Sequence, residues 1–389
     1  MSKNIVVCCD GTSNKLADDH TNVVRIFQVA VKGDAQIAFY DPGVGTMAAP
    51  DQRTALGKRW SLIKGLAVGE GLDENVFKAY RYLMREYRPG DRVYLFGFSR
   101  GAFTVRVLAG MLQGVGLLHA GSENMLPYCW ESYRSIPTTV DTSPEPDTLA
   151  VQKIKRGIET LRRSFTQPCP IEFLGVWDTV GSVGLYNWNQ SFPYTFSNPS
   201  VKRVRHAVAL DEKRAAFRSN VFRDDDEVLP DGAPRVMNVW FPGVHADIGG
   251  GYPFEESALA MVAFRWMVAE AQAAGMQVDS PAVDRLLSAC PPNPAGKLHE
   301  SLAGKWKAVE YLPARRYDWK RHKTRWRFQP NKPRDTRITK AYLHMSVVER
   351  LAADPAYRPT PLPNSTPDDL AKQYCIVGTR FGDDAFPGR

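Results

Sequence analysis

A serine with a glycine two positions to either side, Gly97-Phe98-Ser99-Arg100-Gly101, is the most chemically suggestive segment of the 389-residue chain. A serine hydroxyl is a poor nucleophile at neutral pH, so acyl transfer from it needs a base to take its proton. His245 is the leading base, and Asp178 the leading carboxylate to orient it and stabilise its charged form. All three follow short runs rich in β-branched and aromatic residues, at 93–96, 171–177 and 236–241. Each role has rivals. Asp247 lies two residues after His245, and His344 and His206 compete with His245 for the base. A strand-end aspartate such as Asp178 can also serve simply as a cap. An acyl-transfer site further needs N–H donors for the oxyanion; Arg100, directly after the serine, would supply one, and the Gly11-Thr12 turn the other.

Positioning such groups requires a strand, a tight turn and a helix around the serine. Residues 93–96 read as a buried strand and residues 102–109 open a helix, which is the context of a nucleophile elbow. Small residues two before and two after the serine let the two backbones approach. Further strands are expected at 4–9, 36–40, 171–177 and 236–241, and helices from Thr21, over 71–87, near 149–165, over 201–217 and over 257–274. Strands alternating with helices argue an α/β fold, a mostly parallel sheet with helices on both faces. Asp10, Ser99, Asp178 and His245 all fall just past strands, where ligands bind on open α/β sheets. Residues 120–167 read as an insertion beside the site. The expected division is a catalytic core over 1–275 and a basic, Pro-rich C-terminal cap region over 276–389.

The composition, 43% hydrophobic and 24% charged, is that of a soluble globular protein. No stretch of 18 apolar residues lacks a charge, so no spanning helix is expected. The N-terminus runs into a strand pattern without the apolar region and cleavage site of a signal peptide, so synthesis in the cytoplasm is expected. The six cysteines show no zinc or redox spacing, and reduced thiols are expected. Net charge is +8, yet residues 314–340 alone hold eleven Lys and Arg against Asp318 and Asp335. Interleaved with Trp319, Trp326 and Phe328, this stripe suits peripheral contact with an anionic membrane; a solvated face or a basic hairpin over the core is the plainer reading.

Six blocks carry a family resemblance: Cys9-Asp10-Gly11-Thr12-Ser13-Asn14, Tyr40-Asp41-Pro42-Gly43-Val44-Gly45-Thr46, Gly97-Phe98-Ser99-Arg100-Gly101-Ala102, Leu174-Gly175-Val176-Trp177-Asp178-Thr179-Val180-Gly181, Ala209-Leu210-Asp211-Glu212-Lys213-Arg214 and residues 240–252. Together they resemble the α/β-hydrolase domain family that includes the lipase effectors of bacterial type VI secretion. The resemblance implies a cofactor-free, metal-independent serine esterase acting on phospholipid acyl chains, with Ser99, Asp178 and His245 as its triad. It also implies delivery into a rival's periplasm, with a secretion-machine partner and an immunity protein, and no nucleic acid.

Two other classes compete. Val7-Cys8-Cys9-Asp10-Gly11-Thr12 resembles the start of haloacid-dehalogenase-type phosphatases, although Cys8 stands where their nucleophilic aspartate belongs. A metal-dependent phosphoester hydrolase would then gather a metal on Asp10, Asp178, His245 and Asp247. A non-enzymatic module binding anionic surfaces through residues 314–340 is the third.

Overall fold

The computed structural model describes residues 2–11, 20–43, 71–138, 148–180, 192–214, 217–223, 225–303, 342–359 and 366–378, residues 307, 334, 336, 361 and 362, and the backbone of 314–318 and 323–327. Eight strands form one sheet: β1 (Asn4–Cys9), β2 (Gln36–Asp41), β3 (Arg92–Phe98), β6 (Ile171–Trp177), β7 (Val201–Ala209), β8 (Val236–Phe241), β11 (Tyr342–His344) and β12 (Cys375–Val377). Their order is β12-β11-β8-β7-β6-β3-β1-β2 and every neighbouring pair is parallel. Leaving β1, the chain goes outward to β2 and then returns to the other side as β3. The sheet's switch point is therefore the β1–β3 crevice, where α/β sheets take their ligands.

The helices are α1 (Asn22–Val29), α2 (Leu72–Glu86), α3 (Arg100–Val115), α4 (Leu126–Arg134), α5 (Leu149–Ser164), α6 (His245–Gly249), α7 (Ala258–Ala273), α8 (Ser280–Ala289), α9 (Met345–Ala353) and α10 (Pro367–Gln373). Strand alternation sorts them onto two faces. Ile5, Val7, Val93 and Leu95 pack with α2, α3 and α4 on one side. Val6, Cys8, Tyr94 and Phe96 pack with α1, α7 and α8 on the other. Burial on both faces explains why these strands read as continuous apolar runs. The segment 120–167 is closed at its base by a short antiparallel ribbon, β4 (Leu117–Leu118) with β5 (Thr166–Gln167).

Two expectations are corrected. Residues 201–209 are the strand β7, not the start of a helix. Val201, Val204 and Val208 imitate helical spacing, and the polar residues between them suggest an exposed face; in the sheet Arg203, Arg205 and His206 are buried too, and Lys202 is exposed. Arg205 is fully buried because Glu270 of α7 pairs with it and the Val204, Pro234 and Arg235 carbonyls accept from it. The boundary at residue 275 also does not divide the fold, since β11 and β12 extend the main sheet beyond β8. At three residues each they are too short to show a period. The basic stripe contains the antiparallel hairpin β9 (Ala314–Asp318) and β10 (Lys323–Arg327); most of its other residues lie outside the described ones.

The cysteines are free, five of them buried and Cys375 exposed. No helix among the described residues is long and apolar enough to cross a membrane.

His206 in β7 and His344 in β11 are buried within the sheet. The His206 Nε2 accepts from the Thr179 N–H at 3.2 Å, and its Nδ1 contacts Asn238 Oδ1 at 3.2 Å. The His344 Nδ1 accepts from the Ser346 N–H at 3.2 Å, and its ring stacks on Phe241 at 4.4 Å. Burial is the main cause that lowers both to a pKa of about 3. Each therefore stays neutral in the folded chain while the unfolded chain takes up a proton below about pH 6.5. Stability from these two residues is complete above that pH and is lost as pH falls toward 3. Urea midpoints measured from pH 7.5 to 4 should decline, and His344→Gln should flatten the decline.

Gly101 of α3 provides a second test. A Cβ there would lie 2.1 Å from the Cys9 carbonyl oxygen, a backbone atom that cannot step aside. Gly101→Ala should lower the urea midpoint by an amount equivalent to roughly 1–3 kcal/mol or more. Gly157, on an exposed stretch of α5 with open space around it, is the control. Gly157→Ala should stabilise by about 1 kcal/mol.

Candidate active site

Ser99 stands between β3 and α3 with φ 58° and ψ −119°, a conformation L-residues avoid. The turn is held by the Ser99 N–H donating to the Trp177 carbonyl (3.1 Å) and by the Phe103 N–H donating to the Ser99 carbonyl (3.4 Å). Both flanking glycines are required by contact. A Cβ on Gly97 would meet the Gly101 carbonyl oxygen at 2.6 Å, and one on Gly101 would strike the end of β1. The sharp turn puts the hydroxyl beyond the sheet, at the positive end of the sixteen-residue α3.

Asp178 directly follows β6, also at positive φ (36°), and is fully buried. The loop after β8 carries His245 at the first position of α6. Although β7 lies between β6 and β8, this loop reaches over it. His245 Nδ1 lies 2.5 Å from Asp178 Oδ2, and Nε2 lies 2.9 Å from Ser99 Oγ. The three side chains thus form one hydrogen-bonded line. Asp178 is ionised: burial acts to raise its pKa, but the Arg334 guanidinium and the His245 hydrogen bond outweigh this and hold it well below the usual carboxylate range. A carboxylate has no proton to give, so His245 Nδ1 carries the ring proton and Nε2 is left to accept from the hydroxyl. Such a line can draw a proton from serine as its oxygen attacks a carbonyl.

The ring is held from its sides as well. Phe98 lies at 4.7 Å, and Phe217 meets it edge-on at 4.8 Å, with Arg214 over the Phe217 ring at 3.6 Å. Beneath, the His245 N–H donates to Glu212 Oε2 (3.2 Å). Glu212 is buried and ionised; burial raises its pKa, but Arg214 lowers it further. Asp211 accepts from the Gly243 N–H (2.7 Å), and burial pushes its carboxyl up to about 6.

The rival residues are placed elsewhere. Asp247 faces away from His245, accepting from its own loop at Val244 and from the ring of His299, 2.6 Å distant. His344 and His206 are locked into the sheet as described. Asp10 accepts from the Thr21 hydroxyl and the Tyr40 hydroxyl (2.9 Å). The four donors of a metal reading are thus divided among different partners, and no group of three His, Cys, Asp or Glu converges among the described residues. Of the expected oxyanion donors, Arg100 opens α3 beside Ser99. The Gly11 N–H is taken up by Asp10 Oδ1 at 2.6 Å, and Thr12 lies outside the described residues.

Sequence reasoning missed Arg334, Glu212 and Phe217. Glu212 stood within a motif block but next to charged neighbours that read as surface. Arg334 was counted in the basic stripe, where nothing sets it apart from the other cations.

A family model described as T6SS, Phospholipase effector Tle1-like, catalytic domain matches residues 3–270. The uncharacterized protein YEL023C of Saccharomyces cerevisiae is 36% identical over 230 residues, 57% of this chain and 33% of that protein, so the chain spans about a third of its length. Solved structures are similar too, two of them as follows. One is an uncharacterized protein from Pseudomonas aeruginosa (19% identity, TM-score 0.45, covering 79% of this chain and 52% of that one). The other is the Tle1 effector bound to the VgrG spike of the type VI secretion system (20% identity, TM-score 0.34, covering 64% and 51%). The family match takes in Ser99, Asp178 and His245, and the chain belongs to the Tle1-like phospholipase effector catalytic-domain family.

Proposed function

We propose that this chain is a serine esterase that hydrolyses acyl esters of glycerophospholipids, of the phospholipase A type. The observation that carries the reading is the His245 ring spanning Ser99 Oγ and Asp178 Oδ2 at 2.9 and 2.5 Å. As Ser99 Oγ bonds to the ester carbonyl carbon, its proton passes to His245 Nε2. The imidazolium then protonates the departing alcohol, leaving an acyl-serine and a lysophospholipid. Water, deprotonated by the same nitrogen, releases the fatty acid and restores the serine. Arg100 N–H is the proposed oxyanion donor; a second donor from the Gly11-Thr12 turn would require Gly11 to release Asp10. Family membership supports a lipid substrate and delivery by a type VI secretion machine into a rival's periplasm, with a spike protein and an immunity protein as partners.

A fluorophosphonate probe should label the native chain at the peptide holding Ser99 and fail after heat denaturation. Labelling elsewhere, or equal labelling of the denatured chain, would remove the mechanism. On phospholipid vesicles, Ser99→Ala and His245→Ala should each lower turnover by about 10⁴–10⁶-fold with unchanged circular dichroism, and Asp178→Asn should cost less than either.

Peripheral membrane contact through residues 314–340 is proposed on charge alone. Arg334 of that stripe is buried in the site, and the remaining cations would carry the attraction. Binding to vesicles containing anionic lipid should weaken sharply in 0.5 M salt, where the Debye length is about 4 Å. Salt-indifferent binding would assign the contact to another surface.

A further inference from the structure

Arg334 is fully buried against the proposed triad, yet it comes from beyond the segment the family model matches. Its Nη1 and Nη2 both donate to the Asp178 carboxylate, Nη2 to Oδ2 at 3.0 Å. Nη1 also donates to the Ala209 carbonyl at 2.9 Å, at the end of β7. Nε and Nη2 donate to the carbonyl of Phe217, the residue whose ring meets His245 edge-on. One guanidinium therefore holds both the carboxylate behind the imidazole and the aromatic wall beside it.

The charges around this pair leave Arg334 a specific task. His206 is neutral and gives Asp178 no compensation; Arg106, which lies near His206, donates to the Thr195 and Asn220 carbonyls. Glu212, under the His245 amide, is matched by Arg214. Asp247, two residues past His245, is hydrogen-bonded to the His299 ring. Asp178 alone would otherwise balance its charge only by protonating His245, which would spend the base before substrate arrives.

We infer that Arg334 is a positioning residue for the Ser99–His245–Asp178 line, keeping Asp178 ionised and aligned while His245 is neutral. The inference rests on the esterase reading. Its physical content is a charge and a fork: the charge keeps the Asp178 carboxylate ionised, and the planar fork sets its orientation. Removing the positive charge makes the Asp178–His245 pair take up its first extra proton more readily, wherever that proton settles, so the acid limb of activity moves to higher pH.

Three neighbours place the same C-terminal region around the site. His299 bonds Asp247, Ser301 donates to Glu212 Oε1 at 3.0 Å, and Tyr357 donates to Asp211 Oδ2 at 2.8 Å. With Arg334, they give each acid near the His245 loop a partner from beyond residue 275.

The test uses the full chain as wild type, Arg334→Met and Arg334→Lys, reading the rate of fluorophosphonate labelling at Ser99 from pH 5 to 9. Arg334→Met should slow labelling on the order of 10²-fold at pH 7, and its half-maximal pH should rise by about one to three units. Arg334→Lys, which keeps the charge but not the fork, should return the half-maximal pH toward wild type while the maximal rate stays reduced. Circular dichroism checks that each variant is folded. If Arg334→Met does not fold, Arg334→Lys decides: a wild-type rate overturns the fork, and a limb displaced as in a charge loss overturns the charge. A folded Arg334→Met with the wild-type pH profile overturns the inference and leaves the esterase reading standing. Absence of Ser99 labelling in the wild type brings down both.

Discussion

A single ionised carboxylate with no contact with water organises this structure. Taking a carboxylate out of water carries a penalty of several kcal/mol unless charge and hydrogen bonds replace the lost hydration. Asp178 meets that condition through donors from three segments: the Ala209 N–H at the end of β7, the His245 ring on the loop after β8 and the Arg334 fork, while its own backbone N–H donates to the Ala207 carbonyl. Positive φ at Asp178 turns the carboxylate across the ends of β6 and β7 toward the imidazole. Strain at Asp178 and at Ser99, of order 1–3 kcal/mol each, persists where the surroundings over-determine the backbone, and both residues sit where the packing does so.

The same accounting explains why the chain does not stop at the matched segment. The loops after β7 and β8 carry Asp211, Glu212, His245 and Asp247, four ionisable groups in a small, largely dry volume. A third apolar cluster joins Val208, Leu210 and Trp240 of these elements to Leu343, Val347, Leu362 and Leu370 from the C-terminal region. Apolar burial brings that region to the sheet edge, and its polar side chains then satisfy the acids. Packing and electrostatics at the site are one construction.

Legibility in the sequence followed the same division. Strands β1, β3, β6 and β8 were readable because each is a run of apolar residues long enough to bury both faces. Ser99, Asp178 and His245 were readable as residues following such runs. The approach of Gly101 to the Cys9 carbonyl was legible only as a spacing; its cause is a contact between segments ninety residues apart. β7 was misread because buried Arg205 and His206 find their ion-pair and hydrogen-bond partners far along the chain, and local polarity gives no hint of Glu270 or Asn238. Arg334 was invisible for the converse reason. A cation among ten others carries no mark of the one carboxylate it meets, because that pairing exists only after the sheet has formed.

Histidine chemistry sharpens the distinction between site and scaffold. His206, His344 and His245 are all buried near the same end of the sheet, so burial alone cannot select among them. Their partners can. His206 presents its accepting nitrogen to a backbone N–H, and His344 does likewise with its other nitrogen, so neither has a lone pair to spare. Protonating His206 would also turn a donor against the Thr179 N–H, next to Asp178. Only His245 has its donor on a carboxylate and its acceptor on a hydroxyl, the one exchange in which gaining a proton is answered by a charge already in place. A buried imidazole can serve as a base where a carboxylate stands ready for its charged form, and of the three His245 has that setting.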